Sequence, residues 1–252
     1  MQATFPSWPK GSKWRKWDLH VHSPSSHSFV GEWNQFIIQI GNADCDVTGI
    51  NDYFSVSGYK EIRRLLSDPG SASQGNKPYR EALEKLQRKT LLPVVECRMN
   101  NVVIGKKGSG PRINFHLIFD PDLPIDDIET FIKSLKVDGT SIGSRYNDSR
   151  FLFEDVSVNF SETCQALRSD GAFADRFLIW IPYDEYGGID EINPATNKLL
   201  KEGLIRSADI LGSSNKAQAS FFLGKIQSTL RLNSRSGLSG GSHVLRAATR
   251  IM

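Results

Sequence analysis

Residues 16–27 read KWDLHVHSPSSH and place three of the chain's five histidines, His20, His22 and His27, within eight residues. Leu19 and Val21 alternate with polar neighbours, which is the period of a strand whose successive side chains take opposite faces. On that reading Asp18, His20 and His22 share one face, and Trp17, Leu19 and Val21 share the other. Neutral imidazole is the commonest metal ligand and carboxylate its usual companion, so D-x-H-x-H at a strand end suits one or two divalent ions. His27 follows the turn-like SPSS and is placed to fold back as a further ligand. The competing explanation is a set of histidines satisfied by neighbouring hydrogen bonds; their concentration in one stretch argues against it.

Outward from this stretch, short apolar runs recur and tend to end in polar or charged residues. They are CDVTGINDYF (45–54), LLPVVECRMN (91–100), INFHLIFD (113–120), RFLIWIPYDE (176–185) and ADILGSSN (208–215). Their length and β-branched content predict strands. Between them lie helical patterns: SGYKEIRRLLS behind a Ser57 cap, KPYREALEKLQRK, PIDDIETFIKSLK with Pro124 at its start, and NPATNKLLKEGLIRSA. Strand and helix alternate, which predicts a parallel α/β sheet, either a closed barrel or a doubly wound sheet. Residues 67–76 and 137–150 read as irregular connections. One domain over residues 1–226 is expected, followed at 227–252 by an irregular tail with four arginines and no acidic residue.

The bulk properties exclude several classes. A chain of 252 residues with 39% hydrophobic and 23% charged residues can bury a full core, so wholesale disorder is not expected. A net charge of +3 suits an anionic substrate but falls well short of a nucleic-acid-coating surface. Cys45, Cys97 and Cys164 lie far apart and form neither a C-x-x-C pair nor a disulfide framework, the pattern of reduced thiols in a cytoplasmic protein. The amino terminus has no apolar export region, and no apolar run is long enough to span a membrane.

Other predicted strands carry polar groups near their carboxyl ends. Asp52 closes the second, Glu96 interrupts LLPVVE, and His116 sits inside NFHLIF. An unsatisfied imidazole or carboxylate in such a run costs several kcal/mol, roughly 2–7 for a polar group. Each has an ordinary alternative: a salt bridge for Glu96, a helix cap for Asp52, a satisfied core position for His116. Together with Asp18, His20 and His22, they converge as catalytic groups do at the mouth of a β/α barrel.

The motifs DLHVHS, GINDYFSVSGYKEI, VVECRMN and NFHLIFD resemble successive motifs of the PHP superfamily, the polymerase and histidinol phosphatase type of metal-dependent phosphoesterase. The resemblance spans about residues 14–225. NDYFSVSGYKEI, IPYDEYGGID and FFLGK are similar to the amino-terminal PHP domain of TrlF-type proteins, where that domain precedes a large ATPase region.

The resemblance implies a distorted (β/α)7 PHP-type barrel holding two or three zinc, manganese or iron ions at the carboxyl ends of its strands. His20 and His22 match the first two ligands, His27 falls near the third, Glu96 matches a metal-bridging carboxylate, and His116 the next histidine. Asp52 matches the aspartate of the second motif, but Tyr53 stands where the family commonly has histidine. Asp184 or Glu185 stands where it offers His or Cys. The closing G-S-D-x-H motif is reduced to GGSHVL, with His243 and no aspartate, so the barrel is expected to lack its last strand. The implied activity is hydrolysis of a phosphate mono- or diester, a nucleic-acid end among the candidates, by water activated at the metals. Asp18 or Asp52 would orient a ligand imidazole, and Arg98, two residues beyond Glu96, would pair with the phosphoryl oxygens or form a structural salt bridge.

Two rival readings stand beside it. One is a degenerate, catalytically weak module regulating a separate ATPase, since IGKKGSG (104–110) lacks the order of a phosphate-binding P-loop. The other is single-stranded nucleic-acid binding through WPKGSKWRKW (8–17), where tryptophans interleave with basic residues.

Overall fold

The computed structural model describes residues 15–26, 29–68, 70, 76–101, 103–108, 110–137, 139–144, 156–213 and 248–249. The elements run β1 (Trp17–Val21), α1 (Trp33–Asn42), β2 (Val47–Tyr53), α2 (Ser57–Ser67), α3 (Lys77–Leu86), β3 (Thr90–Arg98) and β4 (Asn114–Phe119). There follow α4 (Ile125–Ser134), β5 (Lys136–Val137), β6 (Thr140–Ser141), α5 (Phe160–Ser169), β7 (Phe177–Pro182), α6 (Pro194–Ser207), β8 (Ile210–Ser213) and β9 (Ala248–Thr249). The class is mixed α/β. None of the described helices is long and apolar enough to cross a membrane.

Local chemistry explains most boundaries. Asn76, Asn159 and Asn193 accept hydrogen bonds from the first-turn amides of Tyr79, Glu162 and Ala195, capping α3, α5 and α6. Ser57 is not the cap of α2; it is already helical, and Val56 holds the cap position. The N–H of Gly58 in that first turn is instead taken by the Asp52 carboxylate at 3.2 Å. The stretch predicted to be irregular at 137–150 contributes to a hairpin, β5 pairing antiparallel with β6.

Seven strands form one sheet in the order β1-β2-β3-β4-β7-β8-β9. The expectation of an all-parallel sheet fails at one strand: β4 runs antiparallel to both β3 and β7, while β1–β2, β2–β3, β7–β8 and β8–β9 are parallel. The cause lies in the connection. A parallel return needs a crossover, usually a helix, and no helix intervenes between β3 and β4 among the described residues. The reversal brings His116, near the start of β4, opposite Glu96, near the end of β3. The last place in the sheet, expected to be missing, holds β9 from the tail beside β8. No ladder joins β9 to β1 among the described residues.

The sheet is also curled. Four strand spacings of about 4.8 Å separate β1 from β7 in a flat sheet, roughly 19 Å, yet the rings of His20 and Trp180 lie 5.6 Å apart. The concave face is lined at its base by Leu19, Val47, Leu92, Val94, Ile118 and Trp180, one side chain or more from each of β1, β2, β3, β4 and β7. The convex face meets the helices in two further clusters. Phe36, Ile40, Tyr59, Ile62, Tyr79 and Leu83 pack with Ile50 and Leu91, and Phe115, Leu117, Phe119, Ile128, Phe131 and Leu167 with Val95 and Ile179. Burying each such side chain stabilises the fold by about 1.5–3 kcal/mol.

Candidate metal centre

Above the apolar floor the concave face turns polar. A bulge in β1 makes the change: Asp18 pairs with Thr48 and Val21 with Ile50, so that two residues, Leu19 and His20, stand opposite one, Gly49. The extra residue lets Leu19 join the floor while His20, its neighbour, also reaches inward to Glu96 and Trp180. Strict alternation would have kept Asp18 with His20 and His22. Instead Asp18 is in register with Thr48 and makes a local bond, its Oδ1 accepting from the His20 amide at 3.3 Å.

His20 Nε2 lies 3.3 Å and His22 Nε2 3.5 Å from the same oxygen, Oε2 of Glu96. One ligand atom from each of the three lies within 4.8 Å of the others, compact enough for one ion. Glu96 is 1% exposed, and a carboxylate buried so deeply must be satisfied. Asn114 Nδ2 donates to Oε1 at 2.6 Å, and Asn51 Nδ2 to Oε2 at 3.1 Å. Asn51 also faces His116, its Oδ1 lying 3.1 Å from Nδ1. His116 is fully buried, its ring stacked on Trp180 at 4.1 Å, and its Nε2 has no hydrogen-bond partner among the described residues. Gly212 on β8 makes room for that indole; a Cβ there would stand 2.1 Å from Trp180 Nε1.

The charges follow from this packing. Burial works to raise Glu96, but His116, His20 and His22 around it hold it down at about 2. Burial also opposes charge on His20, yet the Glu185 and Glu96 carboxylates outweigh it and raise that imidazole to about 9. Burial drives His116 down to about 3, so its ring is neutral at pH 7 and His20 supplies the countercharge to Glu96. Tyr53 lies flat against His22, ring centroids 5.1 Å apart, and burial followed by the Glu96 charge pushes its phenol up to about 12.

The residues expected at the site divide into groups. His20, His22, Glu96 and His116 converge. Asp52 does not join them: it is in register with Val95 of the convex-face core, whereas Asn51 and Tyr53 are in register with Val94 and Glu96. Its Oδ1 accepts from the Ser23 amide at 2.9 Å and its Oδ2 from the Ser23 hydroxyl at 2.7 Å and from Gly58. Asp52 therefore orients no imidazole directly; it anchors the residue after His22 to the start of α2. Arg98 ends β3 on the face of Glu96, in register with Asn114. Asp184 lies two residues beyond β7, both carboxylate oxygens buried without a hydrogen-bond partner among the described residues. Its neighbour Glu185 is the residue that reaches the cluster, Oε2 3.7 Å from His20 Nδ1. His27 and His243 lie outside the described residues, as does most of the basic, tryptophan-rich amino-terminal segment.

Asn51, Asn114 and Trp180 were missed in the sequence. The signal was there for two of them: Asn114 stands two residues before His116, and Asn51 two before Tyr53, which pairs with Glu96.

The donor set suits a transition metal. Two imidazoles and a carboxylate are a common zinc or manganese set, and His116, whose Nε2 has no hydrogen-bond partner among the described residues and whose ring lies 5.1 Å from that of His20, stands beside them as a third nitrogen. No family model matches this chain, and no curated protein matches it.

Proposed function

We propose that the chain is a metal-dependent phosphoesterase whose curled sheet is a variant of the PHP-type (β/α)7 barrel. The observation that carries this reading is the meeting of His20, His22 and Glu96, from two strands, around one point above the apolar floor. His20, His22 and Glu96 would hold the first ion, with His116 offering a further nitrogen. Bound there, a divalent ion supplies Lewis acidity toward a phosphoryl oxygen and lowers the pKa of a coordinated water. The chain's own groups do the rest. Asn51 and Asn114 donate to the two oxygens of Glu96 and hold it in place; Trp180 stacks on His116; Arg98, at the end of β3 on the face of Glu96, would pair with non-bridging phosphate oxygens.

The test begins with elemental analysis of protein purified without added metal, which is expected to show at least one transition metal per chain. With Mn2+, an aryl phosphodiester should be turned over, and His20→Ala and Glu96→Gln should each abolish that turnover. A chain that neither carries metal nor takes up Zn2+ or Mn2+ would refute the proposal. Tyr53 favours a second reading, a weakened module serving a separate ATPase, because a phenol held at about 12 is a poor replacement for an imidazole ligand. Stoichiometric metal with no phosphoesterase turnover would favour that module.

A further inference from the structure

Asn51 is fully buried on β2 and touches two members of the cluster at once: Nδ2 lies 3.1 Å from Glu96 Oε2, and Oδ1 lies 3.1 Å from His116 Nδ1. The orientation of an amide is ordinarily ambiguous, because its nitrogen and oxygen are nearly the same size. Here the chemistry removes the ambiguity. An ionised carboxylate only accepts hydrogen bonds, so the amide nitrogen must face Glu96. The amide oxygen must then face His116, and since that oxygen only accepts, Nδ1 of His116 must carry the proton. A neutral imidazole with a proton on Nδ1 has its lone pair on Nε2. That Nε2 is the atom left buried with no partner among the described residues, in a ring 5.1 Å from the ring of His20.

We infer that Asn51 is a positioning residue that relays the fixed polarity of Glu96 to His116, locking the Nδ1–H tautomer so that Nε2 faces the polar layer as an electron-pair donor. The inference builds on the metal-centre reading only in its last step, the cation that Nε2 would serve. Histidine ligands generally owe their tautomer to the hydrogen bond made by the other ring nitrogen, most often to a carboxylate, backbone carbonyl or water. In this chain a side-chain amide fills that role, and the same amide steadies the carboxylate ligand. One residue therefore ties the ligand on β3 to the candidate ligand on β4.

Nitrogen-15 NMR of the full chain, stripped of metal and labelled at histidine, tests the assignment without any substitution in Asn51. The signals of His116, identified by their loss in His116→Gln, should show a protonated Nδ1 and an unprotonated Nε2. A protonated Nε2 overturns the inference. In Asn51→Leu, which removes both hydrogen bonds at similar volume, His116 should shift toward the Nε2–H form, and Zn2+ affinity should fall about 10–100-fold. An Asn51→Leu chain that folds and keeps both the tautomer and the affinity also overturns it. Should Asn51→Leu fail to fold, the wild-type spectrum still decides. A wild-type chain with the expected tautomer but no uptake of Zn2+ would sink the metal reading and leave the Asn51–His116 assignment standing.

Discussion

Asp52 is the point at which the site is fastened to the fold, and its removal gives the most exacting test of the structure. The carboxylate is 1% exposed and accepts from three donors: the Ser23 amide, the Ser23 hydroxyl and the Gly58 amide. In Asp52→Ala two buried backbone N–H groups lose their acceptor, each costing about 1–3 kcal/mol. The hydroxyl can turn elsewhere, and relief of the buried carboxylate, whose pKa burial has already raised, returns part of the loss. The net is about 3 kcal/mol, and for a chain of this size each kcal/mol moves Tm by about 2–4 °C. Thermal unfolding followed by circular dichroism should therefore show a drop of about 6–12 °C. Asp52→Asn, which keeps one acceptor, should lose about half as much. Gly58→Ala supplies an independent check with the opposite expectation from helix propensity. Alanine gains about 1 kcal/mol in a helix, but its Cβ would stand 1.9 Å from Ser23 Oγ and 2.3 Å from Asp52 Oδ2, so the variant should be less stable. Because Ser23 follows His22 directly, Asp52→Ala should also weaken Zn2+ binding. A Tm within 2 °C of wild type for Asp52→Ala, or a stabilised Gly58→Ala, would show that the three-donor knot is not as drawn.

Other expectations follow from the same packing. In the metal-free chain His20 is raised to about 9, so its contribution is complete below pH 6.5 and lost as pH rises through 9; His116 is lowered to about 3, so its contribution is complete above pH 6.5 and lost as pH falls toward 3. Urea melts after chelation should thus give a maximum near pH 6 to 7, and greater stability at pH 9 than at 6.5 would contradict the assignment. Gly212→Ala should displace Trp180 from His116 and alter tryptophan fluorescence and Zn2+ affinity together; an unchanged emission spectrum would argue against the stack. Among the thiols, Cys97 is fully buried with its pKa pushed well up, and burial pushes Cys164 up to about 12. Iodoacetamide at pH 8 should accordingly modify the partly exposed Cys45 first, with mass spectrometry after denaturation revealing the other two. Lys89→Met removes bonds from Nζ to the carbonyls of Ile40 and Ala43 at the end of α1, and should cost about 0.3–1 kcal/mol in chemical denaturation.

Much of the strand framework was legible because β-branched apolar runs announce themselves: β1, β2, β3, β4, β7 and β8 each fall where such a run stands. Strand direction was not legible, since side-chain alternation is the same whichever way a strand runs, and β4 was accordingly misjudged. Helix α1 escaped notice because Glu32, at its cap position, is not one of the residue types that mark a helix start. Helix α5 does carry a signal, Asn159 three residues before Glu162. At the site, ionisable residues are conspicuous in the sequence and amides are not. Asn51 and Asn114 bear no charge, yet they donate to both oxygens of Glu96, beside the imidazoles that hold it ionised. Asp18 and Asp52 carried charge and sequence neighbourhood in their favour, but one lies ahead of a bulge and the other in register with the convex-face core.

The irregularity in β1 has a consequence for any comparison of this chain with another by alignment. Because Leu19 and His20 both turn inward, deletion of a single codon between Asp18 and Val21 would not merely shorten the strand. It would force a choice between an oily plug and a chelating side chain at the same position. An insertion or deletion that looks neutral in a gapped alignment would thus separate variants able to fold from variants able to bind, and the two populations could be sorted in a library by solubility and by metal capture.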